Sequence, residues 1–142
     1  MKVRQQKIEK ILPYPNNPRK NDGAVDKVAM SLKEFGWQQP IVVDQDNVII
    51  VGHTRYLAAL QLGMKQCPVV VADKLSPEQI RAYRIADNRV GELAVWDQDR
   101  LEQEIKGLLE QDYEIDLTGF GMDAFDFDKV SGGLTDQDSV PP

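Results

Sequence analysis

Continuous β-branched runs broken by glycine and proline set the frame of this chain. Ile41-Val42-Val43-Asp44 and Val48-Ile49-Ile50-Val51 flank Gln45-Asp46-Asn47. That pattern predicts two strands joined by a tight turn, each buried on both faces. Cys67 to Ala72 predicts another buried strand. Residues 6–12 alternate more weakly around Ile8 and Ile11 and predict a short edge strand. Elsewhere the apolar positions recur at helical spacing. Val25, Val28, Ala29 and Leu32 mark a helix that Asp22 caps and Gly36 ends. Residues 54–62 predict a second helix, stopped by Gly63. Ser76-Pro77-Glu78-Gln79 opens a third: Ser at the cap, Pro at the first helical position and Gln three residues after the cap. It runs through Ile80, Tyr83 and Ile85 toward Asp87-Asn88-Arg89. Asp97 caps a fourth over residues 100–110, with Leu101, Ile105 and Leu108 as its apolar stripe. Residues 119–130 predict a last short helix, and the chain from Ser131 reads as a polar linker or tail. The expected fold is α/β: a small mixed sheet flanked by helices.

Length and charge narrow this picture. A chain of 142 residues fits one ordinary domain. Its apolar runs are far shorter than the roughly 20 residues that cross a bilayer, and no apolar run follows the basic start to make a signal peptide. The expectation is therefore a cytoplasmic protein with no membrane partner. Cys67 is the only cysteine, which excludes an intramolecular disulfide and a thiolate zinc site, and it reads as a buried apolar filler. Lys and Arg number 8 against 4 acidic residues over residues 1–40, 6 against 5 over 41–90, and 3 against 14 over 91–142. The first two-thirds can meet a polyanion; the last third repels one.

The chemistry converges on the corner where Val51 runs into Gly52-His53-Thr54-Arg55. Glycine turns the backbone without a Cβ clash, and the first amides of the following helix lack intrahelical partners and favour an anion. Arg55 adds a charged fork. Pro13, Pro15 and Pro18 stiffen the loop that carries Arg19, because each residue before a proline is driven to extended geometry. Asp87-Asn88-Arg89 supplies more of the same chemistry, and the sum reads as a phosphate site. Neither a Gly-rich loop ending in Lys-Ser/Thr nor G-x-G-x-x-G is present. His53 is the only histidine, and Ser31, Ser76, Ser131 and Ser139 carry no nucleophile signature, which disfavours a Ser–His–Asp triad. Mg²⁺ needs only one or two carboxylates beside a ligand's phosphates, and Asp87 can serve.

Three short boxes occur in order: Pro15-Asn16-Asn17-Pro18-Arg19, Gly52-His53-Thr54-Arg55-Tyr56-Leu57-Ala58-Ala59, and Ala86-Asp87-Asn88-Arg89 followed by Leu93. They resemble the motifs of the ParB N-terminal domain, within the ParB/sulfiredoxin-like superfamily, over about residues 5–110. His53 and Thr54 stand where that family carries Glu and Arg, and the third box is shorter. His53 also occupies the position of the sulfiredoxin redox cysteine, so that chemistry is not implied. The resemblance implies a domain over residues 1–115 that binds a nucleoside triphosphate, CTP or ATP, with Mg²⁺. Arg19, Gly52, Thr54, Arg55, Asn88 and Arg89 would hold the phosphates and Asp87 the metal. Residues 116–130 would be a short helical extension and 131–142 a flexible tail or linker.

Leu117-Thr118-Gly119-Phe120 and Gly133-Leu134-Thr135-Asp136-Gln137-Asp138-Ser139-Val140-Pro141-Pro142 resemble the segment that, in many phage and prophage proteins, joins a ParB-like domain to a DNA methyltransferase. The resemblance implies a DNA-associated role, with DNA or a DNA-acting protein as partner, as the regulatory part of such an enzyme. Oligomerisation is left open. The alternative is a nuclease or phosphotransferase with His53 or Asp87 as general base.

Overall fold

The computed structural model describes residues 1–20 and 23–125. The chain divides into two compact units, Met1–Val95 and Trp96–Pro142. Among the described residues no helix is long and apolar enough to cross a membrane.

The first unit is built on a mixed four-stranded sheet of order β1-β4-β2-β3, with β1 at Arg4–Lys7, β2 at Ile41–Val43, β3 at Ile49–Val51 and β4 at Gln66–Val71. β2 and β3 form the expected antiparallel hairpin. Its turn is tied by Asp44, whose Oδ1 accepts the backbone N–H of Asp46 at 2.8 Å and of Val48 at 3.0 Å, while Asn47 adopts φ 64°. Asn tolerates that left-handed geometry better than most residues. From β3 the chain crosses through helix α2 (His53–Gln61) and returns as β4, parallel to β2 with Ile41 beside Val69 and Val42 beside Val70. Strand alternation sends Ile41, Val43 and Val69 to one face and Val42 and Val70 to the other.

On the first face Ile41, Val43, Ile49, Cys67 and Val69 are fully buried together with Ile8, Ile11 and Ala59. Helix α1 (Val25–Phe35) packs on α2 through Ala29, Leu32 and Ala58. Burying an aliphatic side chain of this size contributes about 1.5–3 kcal/mol, so this layer is the main source of the unit's stability. Burial on both faces holds for β4, where Cys67, Pro68, Val69 and Val70 are all buried, but Val42 of β2 stays partly open.

Several element boundaries differ from the sequence pattern. The edge strand is Arg4–Lys7 rather than residues 6–12, and Ile8–Lys10 form a 3₁₀ turn. Ile8 and Ile11 are three apart, so a strand would aim them at opposite faces; the turn brings both into one core cluster. The cap position of α1 is Ala24, without a side-chain bond, and Asp22 lies outside the described residues. Helix α3 (Pro77–Leu93) opens on the expected Ser76–Gln79 capping box but carries Asp87, Asn88 and Arg89 within its length.

In the second unit, α4 (Gln98–Glu110) starts on Asp97, whose Oδ1 accepts the Arg100 amide at 3.2 Å. Ile105 is buried with Ile115 and Phe125. In place of a helix over residues 119–130 there are 3₁₀ turns at Ile115–Thr118 and Met122–Ala124, separated at Gly119, where φ is 92°. The remainder of that span, and the tail, lie outside the described residues.

Candidate functional site

Gly52 turns β3 into α2 with φ 110°, a conformation that side chains rarely adopt. A Cβ there would stand 3.2 Å from Ile41 Cγ1, 3.4 Å from Ile41 Cα and 3.2 Å from Arg55 Nη2. The corner therefore requires glycine on two counts, backbone conformation and close approach. No side chain caps the helix at this point.

Above the corner lies a concavity of about 170 Å³. Asn17 and Arg19 reach it from the proline-rich loop, Gly52, His53, Thr54 and Arg55 from the corner, and Asp87 and Asn88 from α3. Three segments far apart in sequence thus meet, and seven of the eight residues expected at the site line one hollow. Arg89 does not line it. Its guanidinium pairs with Glu92 at 3.2 Å on the exposed side of α3, beside an adjoining concavity that it shares with Arg19 and Asn88.

The cations are already oriented. Arg19 Nη1 donates to Asn88 Oδ1 at 3.1 Å, and Asn88 Nδ2 donates to the Arg84 carbonyl at 2.9 Å, so the loop is tied to α3. Arg55 Nη2 donates to the Pro40 carbonyl at 3.1 Å and its Nη1 approaches Gln39 Oε1 at 3.4 Å, while its buried Nε has no hydrogen-bond partner among the described residues. Burial lowers the Arg55 pKa from its ordinary value, and the nearby Asp87 carboxylate opposes that shift. Asp87 is the sole carboxylate among the lining residues, and no group of three metal-ligating side chains occurs among the described residues. Such a donor set fits a hard cation only when the ligand's own phosphates complete its shell.

His53 has a structural partner. Its Nε2 accepts the backbone N–H of Tyr14 at 3.1 Å. Burial, and then the positive charge of Arg84, lower its pKa from the ordinary value of 6.5, which matches a neutral ring accepting at Nε2. Arg84 is a residue that sequence reasoning missed. It is 6% exposed, its Nε donates to the Ile49 carbonyl at 3.2 Å, its Nη2 lies 3.9 Å from Asp44 Oδ2, and its guanidinium covers the Tyr14 ring at 3.7 Å from the centroid. Tyr14 is thereby held through its backbone by His53 and through its ring by Arg84, which fixes the loop carrying Asn17 and Arg19. A signal for Arg84 existed: it precedes Asp87 and Asn88 by three and four residues, the spacing that puts side chains on one helix face.

Fold and site together define a small α/β domain with a hollow at its strand-to-helix corner, lined by Arg19, Arg55, Asp87 and Asn88. The chain belongs to the ParB N-terminal domain family, whose profile matches residues 1–103. It is 35% identical over 80 residues to the ParB-like nuclease domain-containing protein YnaK of Escherichia coli strain K12, covering 56% of this chain and 92% of that protein. It is 37% identical over 86 residues to the probable chromosome-partitioning protein ParB of Campylobacter jejuni, covering 57% of this chain but 31% of that relative. Among solved structures it resembles the C-terminally truncated chromosome-partitioning protein ParB from Caulobacter crescentus complexed with CTP-γ-S. That match has a TM-score of 0.67 and 24% identity and covers 78% of this chain and 64% of the other. The chain thus spans about a third of the length of the Campylobacter ParB relative.

Proposed function

We propose that the corner binds the phosphates of a nucleoside triphosphate, CTP or ATP, with Mg²⁺, and that the domain is a nucleotide-responsive part of a DNA-associated system. The observation that carries this reading is the convergence of Arg19, Gly52, Thr54, Arg55 and Asn88 on one hollow. Its volume of about 170 Å³ is below the ~300–1,000 Å³ of sites that enclose a whole small molecule. It fits phosphate groups and leaves base and sugar outside. Arg19 and Arg55 supply charge, the first amides of α2 supply donors, and Asn88 holds Arg19 in place. Asp87 would hold Mg²⁺, which when bound offsets phosphate charge. Arg89 meets the ligand only at its edge.

The CTP-γ-S complex of the Caulobacter relative supports CTP as the first nucleotide to test. The resemblance of residues 117–120 and 133–142 supports a phage or prophage setting, with the domain regulating a DNA methyltransferase. His53 is assigned to the corner rather than to general-base catalysis in a nuclease or phosphotransferase, because its Nε2 lone pair is engaged by the Tyr14 amide. Thermal-shift and calorimetric titration with CTP, ATP, GTP and their diphosphates, with and without Mg²⁺, test the proposal. Stabilisation by a triphosphate that Arg19→Ala reduces is expected; no stabilisation by any nucleotide overturns it.

A further inference from the structure

A second concavity shares no residue with the phosphate hollow and lies over the other face of the sheet. Its volume is about 580 Å³. Val42, which pairs with the buried Val70 across β2 and β4, lines it together with Leu75 and Tyr83. Leu75 and Tyr83 are 37% and 38% exposed, so the cleft presents apolar surface to solvent beside the half-open Val42. The rim is cationic. Lys2 and Arg4 approach from the start of the chain and Lys74 from the segment before α3, against the single carboxylate of Asp73. Among the described residues no ion pair engages Lys2, Arg4 or Lys74, although the chain as a whole carries a net charge of −6. Three unpaired cations around an apolar slot therefore stand out against an acidic molecule.

We propose that this cleft is a docking site for a short acidic segment of a partner protein, with an aliphatic or aromatic side chain seated against Val42, Leu75 and Tyr83 and flanking carboxylates meeting Lys2, Arg4 and Lys74. The occupant follows from complementarity. An apolar lining favours an apolar anchor, and a rim with three cations and one carboxylate selects negative flanks and repels basic ones. Single-stranded nucleic acid fits less well, because base stacking uses aromatic platforms and only Tyr83 offers one here. Because the cleft and the phosphate hollow are separate, this surface stands whether or not the domain binds nucleotide.

The test uses the full chain and fluorescence anisotropy with three labelled probes: a peptide with Asp-Glu flanks around a central Leu-Phe pair, the same peptide with Lys flanks, and oligo(dT). Saturable binding of the acidic peptide that weakens as salt rises is expected, at least about tenfold tighter than either other probe. The charge reversals Arg4→Glu and Lys74→Glu together, and separately Tyr83→Ala, should each weaken it about tenfold or more, while Arg19→Ala leaves it unchanged. These three side chains are exposed, so circular dichroism should report an intact fold in every variant. Absence of peptide binding, equal binding of the Lys-flanked peptide, tighter binding of oligo(dT), or indifference to the rim and Tyr83 variants would overturn the proposal.

Discussion

At the scale of single residues, Gly52 and His53 carry the corner. Gly52→Ala would force φ 110° on a residue with a Cβ and press it to 3.2 Å from Ile41 Cγ1. A destabilisation of roughly 1–3 kcal/mol is expected, the usual cost of a residue held in a sparsely populated backbone region, and urea unfolding measures it. His53 makes stability depend on pH. Its pKa in the folded chain lies below 6.5 because of burial and the charge of Arg84, so the unfolded chain takes up its proton first as pH falls. The stabilising contribution is complete above about pH 6.5 and is lost as pH falls through the folded value. Protonation also turns Nε2 into a donor and breaks the bond to Tyr14. The unfolding midpoint should hold steady above about pH 7 and decline below about 6.5, and His53→Gln should remove the part of that decline that precedes carboxylate titration. An unchanged pH profile in His53→Gln would contradict this role.

At the scale of elements, α3 links the cap, the buried arginine and the site. Ser76 Oγ accepts the Gln79 amide at 3.2 Å and Gln79 Oε1 accepts the Ser76 amide at 2.9 Å. Ser76→Ala should cost about 1 kcal/mol in chemical denaturation. Arg19→Ala, which removes a charge that lines the hollow and is tied to α3 through Asn88, should weaken triphosphate binding by roughly 1.5–3 kcal/mol by calorimetry. Arg89→Ala should have a much smaller effect, since that side chain pairs with Glu92 outside the hollow. The hairpin, the glycine corner and the capping box were legible in the sequence because each is a local device whose residues lie within a few positions of one another. The run of α3 past Asp87-Asn88-Arg89 was less so: the third box looked like a helix end, yet no proline or glycine occurs between Pro77 and Gly91 to stop it. The role of Arg84 was hidden for a different reason. Its partners are Tyr14, Asp44 and Ile49, and such contacts come only from tertiary packing.

At the scale of the whole molecule, charge is distributed unevenly, with 14 acidic residues after position 90 against 3 basic ones. Duplex DNA should therefore bind weakly, without sequence preference, and with an affinity that falls steeply as salt rises. Anisotropy titrations on unrelated duplexes across a salt series check this, and a strong preference for one duplex at physiological salt would reveal a reader that the charge pattern does not disclose.

The hydrogen bond from Arg19 to Asn88 joins residues 69 positions apart, whereas the Gly52 corner closes within a few. Loop closure of that length comes late in folding, because its entropy must be met before the contact gives any return. The glycine corner can form early and the complete hollow only near the end. A ligand that needs the complete hollow stabilises the native state but not the transition state before it. In stopped-flow kinetics a bound triphosphate should slow unfolding and leave the refolding rate nearly unchanged, so that its effect on the domain is one of lifetime rather than of speed of assembly.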